Sequence, residues 1–298
     1  MISKQNRVLI FGAGVIGSAY AVKFIEAGID VTLFARSKRY ASLKKEGLGY
    51  NNKGRIQTIK VKVIDKLENN DSYDFIFVAV RYDKAESALR AVKENKTPNV
   101  VTLISNSAGF SNWQNILGDR LIPGFSGVGG QMNDGILNAR YLPKFMVSTN
   151  FGEVDGVITD RIEKLAKLFN EAKLPYTINK AMNAYLITHA VSDIAMLGSL
   201  YSNNEMSNKE IAQKMVTTYK SYLRAIQKAG IIINPSSSRN ILKIPDRFLR
   251  FFFTKWLKTK MVGEMKLPEY AVGASNEITK LNKDLVKYLE QKNIELSN

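Results

Sequence analysis

The residues best placed to do chemistry lie near the start of the chain. Gly12-Ala13-Gly14-Val15-Ile16-Gly17 has G-x-G-x-x-G spacing and stands between an apolar run, Val8 to Phe11, and a pattern read as an amphipathic helix through Tyr20, Phe24 and Ile25. In that context the first glycine permits a tight turn, the second lets backbone approach a pyrophosphate, and the third lets helix pack on strand. The N–H groups around Val15, Ile16 and Gly17 then point, with the positive helix end, at a bound phosphate. A second signal follows. The next apolar run ends Leu33-Phe34-Ala35-Arg36, where an NAD binder needs Asp or Glu for the ribose 2′-hydroxyl. An uncharged residue there, followed by Arg36, Lys38 and Arg39, removes repulsion and offers donors to a 2′-phosphate. The expected cofactor is therefore NADP rather than NAD, and the bland alternative is a set of solvated cations at a helix start.

These residues need a scaffold. The first part of the chain alternates strand-like and helical patterns: Val8 to Phe11, Val15 to Ala27, Val31 to Phe34, Ser37 to Glu46. Further apolar runs at Ile59 to Ile64, Phe75 to Val80, Val100 to Ile104 and Leu121 to Ile122 predict a Rossmann-like, doubly wound, mainly parallel sheet, with Asn51 to Arg55 as a polar loop. From about residue 181 the pattern becomes long helical stretches, Ala181 to Leu200, Asn208 to Lys228, Asp246 to Lys258 and Pro268 to Glu290. The expectation is α/β: an NADP-binding domain over 1–180 and an all-helical substrate or dimerisation domain over 181–298.

Composition narrows the function classes. The 298 residues include no cysteine, which excludes a disulfide framework, a thiolate metal site and a cysteine nucleophile, and fits a cytoplasmic setting. The N-terminus does not read as a signal peptide, and no apolar stretch reaches the roughly 18 residues of a membrane span. No His, Asp and Glu cluster has metal-ligand spacing, so no metal and no membrane partner are expected. The formal net charge of +16 attracts anions. Its lysines are spread through the chain without a helix-turn-helix, zinc-finger or aromatic-platform signature, which argues for anionic small molecules over nucleic acid. Arg247 to Trp256, with phenylalanines at 251 to 253, reads as core or as the interface of a homodimer, with a lid as the other reading.

The run FGAGVIGSAYA followed by VTLFAR resembles the ketopantoate reductase (2-dehydropantoate 2-reductase) family. Phe77 to Arg81 is similar to that family's fourth strand, which makes Arg81 a second candidate 2′-phosphate ligand. Ile104 to Gly109 looks like its asparagine-glycine loop, which makes Asn106 the candidate contact between nicotinamide and substrate. Gly124 to Gly135 and Gly152 to Gly156 look like family segments, and Glu277 takes the place of its active-site glutamate. The resemblance implies hydride transfer from NADPH to a 2-oxo acid, ketopantoate or a branched relative, giving a 2-hydroxy acid.

The family's proton-donating lysine, with asparagines one and two turns further on, aligns with Ile187, Val191 and Ala195, and no lysine lies within Ala181 to Leu200 in any register. Thr188 and Ser192 form a polar pair one position over. A divergent branch with histidine in this helix points instead to His189, the chain's only histidine, as proton donor, with Asp193 orienting it. Its alternative is a histidine satisfied by Asp193 and turned away from the cofactor, because positions 187 and 189 lie about 200° apart on a helix. Glu277 could equally be a solvated carboxylate, and Asn106 a turn residue bonding its own backbone. Besides the reductase, the sequence leaves open a non-catalytic NADP-binding redox sensor and a nucleic-acid or acidic-partner binder.

Overall fold

The computed structural model describes residues 6–141, 148–201, 206–264 and 266–296. The chain divides into two compact units, 1–104 with 110–182, and 105–109 with 183–298.

The first unit is built on an eight-stranded sheet. Its strands are β1 (Arg7–Phe11), β2 (Asp30–Phe34), β5 (Lys62–Ile64), β6 (Phe75–Val78), β7 (Val100–Leu103), β8 (Leu121–Phe125), β11 (Thr149–Phe151) and β12 (Tyr176–Ile178). They lie in the order β12-β11-β8-β7-β6-β1-β2-β5 and are parallel throughout except where β11 meets β8. Near-continuous apolar runs such as Val8-Leu9-Ile10-Phe11 suit strands buried on both faces. The chain leaves β1 for β2 on one side and later returns to β6 on the other. That reversal opens a crevice beyond the strands' C-terminal ends, where doubly wound sheets bind ligands.

A second, four-stranded sheet joins β3 (Leu48–Asn52), β4 (Arg55–Ile59), β9 (Val128–Asn133) and β10 (Ile136–Tyr141) in the order β4-β3-β10-β9. Two sequence expectations change here. The polar stretch 51–55 is the tip of the β3–β4 hairpin, turned through Lys53 and Gly54, which both have positive φ. The run Ile59 to Ile64 is not one strand, since Ile59 ends β4 in the small sheet and Lys62 begins β5 in the large one.

Helix α1 (Val15–Glu26) packs on β1 and β2 from one side and meets β9 and β10 on the other. It is therefore buried almost all round through Gly17 to Val22 rather than amphipathic, because the small sheet covers the face that would otherwise meet water. Tyr20 anchors it. Its ring is fully buried beside Phe24 and Phe169, and its hydroxyl bonds Thr149 Oγ1 at 2.6 Å and accepts from the Gly127 N–H at 3.3 Å. The Tyr141 hydroxyl donates to the Ala19 carbonyl at 2.9 Å, tying β10 to the same helix.

The unit is completed by α2 (Ser37–Glu46), α3 (Ala85–Val92), α4 (Ser111–Leu117) and α5 (Asp160–Glu171). Glu153, nearly buried, accepts from Thr159 Oγ1 and Arg161 Nε, each at 2.6 Å, and so fastens the 152–156 turn to the start of α5.

Beyond residue 182 every described element is helical: α6 (Met182–Tyr201), α7 (Asn208–Lys228), a 3-10 stretch Ser236–Lys243, α8 (Asp246–Trp256), α9 (Lys260–Glu264), α10 (Leu267–Gly273) and α11 (Ser275–Glu290). Apolar residues at helical spacing form this unit's core, including Leu186 and Val191 of α6, Met215 and Leu223 of α7, and Leu281 and Leu285 of α11. A capping box starts α7: Ser207 accepts from the Glu210 N–H while Glu210 accepts from the Ser207 N–H.

Candidate active site

The glycine turn occupies the crevice beyond β1 and β6, and its three glycines do different work. Gly12 has φ of +122°, and a Cβ there would stand 2.4 Å from the Ala79 carbonyl oxygen, so the turn passes too close to the end of β6 for any side chain. A Cβ on Gly17 would stand 1.9 Å from the Gly12 carbonyl oxygen and 3.0 Å from Ile10 Cγ2, so this glycine lets α1 lie against β1. At Gly14 a Cβ meets nothing within 4 Å. Packing does not require this glycine; it leaves the mouth of the turn open. No side chain caps α1 and no acidic residue stands in its first turn, so the leading N–H groups present their dipole to the crevice.

The crevice has a volume of about 430 Å³. One wall is the end of β2: Phe34 stacks on Phe11 with centroids 4.1 Å apart, Ala35 is buried, and Arg36 reaches back with its guanidinium 5.2 Å from the Phe34 ring centre. The facing wall brings Val80, Lys84, Ser87 and Ala88. Arg36, Arg39 and Lys84 line this space together with no carboxylate, so its field favours a polyanion.

Sequence reasoning located one wall better than the other. Arg36 lies in the crevice lining, while Arg81 is an exposed residue just past β6 whose carbonyl accepts from the Lys84 N–H at 2.9 Å. Lys84 and Ser87, missed in the sequence, reach the crevice because the chain turns through a short 3-10 segment into α3. Their signal was present: a cation and a hydroxyl directly after the fourth strand of the large sheet, where a switch-point crevice collects ligating groups. Arg39 is placed differently from Arg36. Its Nε donates to the Ala13 carbonyl at 3.3 Å and its Nη1 to the Gly135 carbonyl at 3.1 Å, so it braces the glycine turn against the β9–β10 hairpin. Burial pulls its pKa down, though a guanidinium keeps its charge.

In the helical unit, Asn106 is buried and its amide serves its own loop: Oδ1 accepts from the Ala108 N–H and Nδ2 donates to the Gly109 carbonyl, both at 2.9 Å. The neighbouring Ser107 hydroxyl donates to the Leu281 carbonyl at 2.8 Å, fixing the loop to α11. Glu277 is half-buried in the first turn of α11, where the helix dipole favours a carboxylate.

Ile187, Val191 and Ala195 are all buried, and Thr188 Oγ1 accepts from the Asn234 N–H at 3.2 Å. His189 lies on another face of α6, with Nδ1 3.2 Å from Asp193 Oδ2 and its ring 6.2 Å from that of Tyr185. Burial pulls the imidazole pKa down, but the charge and hydrogen bond of Asp193 more than offset it and hold the pKa above its ordinary value. Burial, with Asp193 adding to it, pushes the Tyr185 phenol up to about 12. Among the described residues no group of His, Asp and Glu could hold a metal ion, and no helix is long and apolar enough to cross a membrane.

A doubly wound sheet with an open glycine turn at its switch point, followed by a helical unit, defines the architecture of a dinucleotide-binding protein. Comparison with known proteins shows what the chain is similar to. Residues 8–134 match the model of ketopantoate reductase PanE/ApbA. It is 23% identical to a 2-dehydropantoate 2-reductase of Aquifex aeolicus (strain VF5) over 297 residues, covering 94% of this chain and 89% of the relative. The fold is shared with 2-dehydropantoate 2-reductase from Porphyromonas gingivalis W83, at a TM-score of 0.66 and 13% identity, covering 98% of this chain and 96% of that one. It is also shared with D-mandelate dehydrogenase in its ternary structure with NADH and anilino(oxo)acetate, at a TM-score of 0.62 and 15% identity, covering 97% of this chain and all of that one.

Proposed function

We propose that this protein reduces a 2-oxo acid to the 2-hydroxy acid with NADPH. The observation that carries the reading is the switch-point crevice, open at Gly14 and lined by cations where an NAD-selective site would place a carboxylate. Bound there, NADPH would supply the hydride for the substrate carbonyl.

The chain's own residues do the rest. The N–H groups of Val15, Ile16 and Gly17 hold the pyrophosphate, and Arg36 holds the 2′-phosphate with help from Lys84 and Arg81. The oxygen that becomes a hydroxyl needs a proton, which His189 donates while Asp193 keeps its ring oriented. The raised imidazole pKa suits that role, because it enlarges the protonated share near neutrality. Asn106 and Glu277 are the proposed substrate contacts, on the strength of the family resemblance. Apolar Ile187, Val191 and Ala195, where the resemblance places a lysine and two asparagines, remove polar partners for ketopantoate and favour another 2-oxo acid, and the D-mandelate dehydrogenase structure, described with anilino(oxo)acetate, supports an acid with an apolar portion.

A second reading has its own observation. With an apolar, buried stripe where the family carries a lysine and two asparagines, the chain could bind NADP as a redox sensor without turnover. NADPH oxidation followed with ketopantoate and a panel of branched and aromatic 2-oxo acids separates the two. The reductase predicts turnover with at least one acid and a loss of about 10²–10⁴-fold in His189→Ala. Tight NADPH binding without turnover of any acid would leave the sensor. A gain of ketopantoate turnover in Ile187→Lys would support the alignment of that helix.

A further inference from the structure

Helix α8 turns outward a face that the fold does not use. Phe248, Phe251 and Phe252 are 54%, 65% and 58% exposed, whereas Leu249 is the helix's buried residue. Spacings of three, four and seven place these rings and Lys255 on one stripe. Solvated aromatic side chains grouped this closely mark a contact surface.

The stripe is also cationic. The Arg247 guanidinium lies 4.9 Å from the Phe248 ring centre and the Lys255 ammonium 5.6 Å from that of Phe251. From 246 to 260 the sequence holds Arg247, Arg250, Lys255, Lys258 and Lys260 against one carboxylate, Asp246. That carboxylate already accepts from the buried Lys220 at 2.6 Å.

We propose that α8 is a peripheral membrane-contact helix that lies on an anionic phospholipid surface. Its rings would enter the boundary between headgroups and acyl chains while its cations stay at the level of the phosphates. Charge complementarity selects this occupant. A second copy packed two-fold on the same face would gather the Lys255 and Arg247 of both copies around one apolar contact, between chains that each carry +16. Single-stranded nucleic acid needs open ring faces for stacking. Here a cation covers one face of Phe248 and of Phe251, and Phe252 meets Phe253 edge-on at 5.4 Å.

The test is co-sedimentation of the full chain with unilamellar vesicles of phosphatidylcholine alone or mixed with phosphatidylglycerol. Binding is expected only with phosphatidylglycerol and should weaken as salt rises. Phe251→Ser with Phe252→Ser should lower it about tenfold or more, and Lys255→Glu about fivefold or more, with the thermal midpoint unchanged. Any of the following results would overturn the proposal. One is no phosphatidylglycerol-dependent binding, or binding that the double variant keeps. Another is a dimer that the same two substitutions convert to monomer, which would assign the rings to a second copy. The last is ring-dependent capture of a single-stranded oligonucleotide more tightly than of the vesicles.

Discussion

In the proposed reaction, Arg36 and His189 are the single side chains with the most to do. Arg36 sits at the end of β2 beside the buried Ala35, where its charge has no carboxylate neighbour in the crevice. Charge-assisted hydrogen bonds to one phosphate contribute roughly 1.5–3 kcal/mol, or about ten- to a hundred-fold in affinity. Arg36→Ala should therefore weaken NADPH by that factor while leaving NADH nearly unchanged, as read by nucleotide fluorescence titration; equal losses for both would remove the 2′-phosphate role. His189 makes a different prediction. Its folded pKa is raised, so the pair with Asp193 stabilises the protein fully below the unfolded value near 6.5 and loses that contribution as pH rises through the folded pKa. A helical i,i+4 pair contributes roughly 0.2–0.5 kcal/mol, so the thermal midpoint of His189→Gln should fall about 1–2 °C below the parent at pH 5.5 and converge with it by pH 8.5. A gap that widened with pH would contradict the ion pair.

The strand–turn–helix unit shows why identical residues in one motif have unequal roles. Gly12 and Gly17 are required by backbone that passes within a bond-like distance of their missing side chains, whereas Gly14 faces open space. Gly12→Ala, forced into a positive φ and against the Ala79 carbonyl, should destabilise the fold by several kcal/mol, visible as a large drop in denaturation midpoint. Gly14→Ala should leave that midpoint within about 1 kcal/mol and act on NADPH affinity instead, because the added methyl stands where the pyrophosphate would approach. The reverse pattern would mean that the turn serves structure alone. Around this unit, α1 is held by Tyr20 and Tyr141, and the turn itself by Arg39. The motif is thus positioned by residues from β9, β10 and β11 as much as by its own strand.

For the whole molecule, the excess of cations favours the approach of anions generally. Stopped-flow measurements should show NADPH association slowing several-fold as ionic strength rises past the point where the Debye length falls to about 10 Å, with dissociation changing less. A salt-independent association rate would confine the effect to local contacts.

The α/β class, the parallel sheet, the helical second part and the glycine turn were legible because they rest on local periodicity and on residue types whose use is local: apolar runs for buried strands, glycines between strand and helix, uncharged Ala35 before Arg36. What periodicity could not show was which surfaces face each other. The small sheet was invisible because β3 and β10 pair across about 90 residues of intervening sequence, and Ile59 to Ile64 reads as one run although its ends belong to different sheets. The same long-range pairing buries the second face of α1, which its own pattern assigned to water. It also separates Arg39, turned inward to two carbonyls, from Arg36, which borders the crevice three residues earlier, and brings Lys84 and Ser87 opposite them. Local order follows from short-range sterics and patterning, but the company each cation keeps is set by strands and helices distant in sequence, and only the folded chain brings these together.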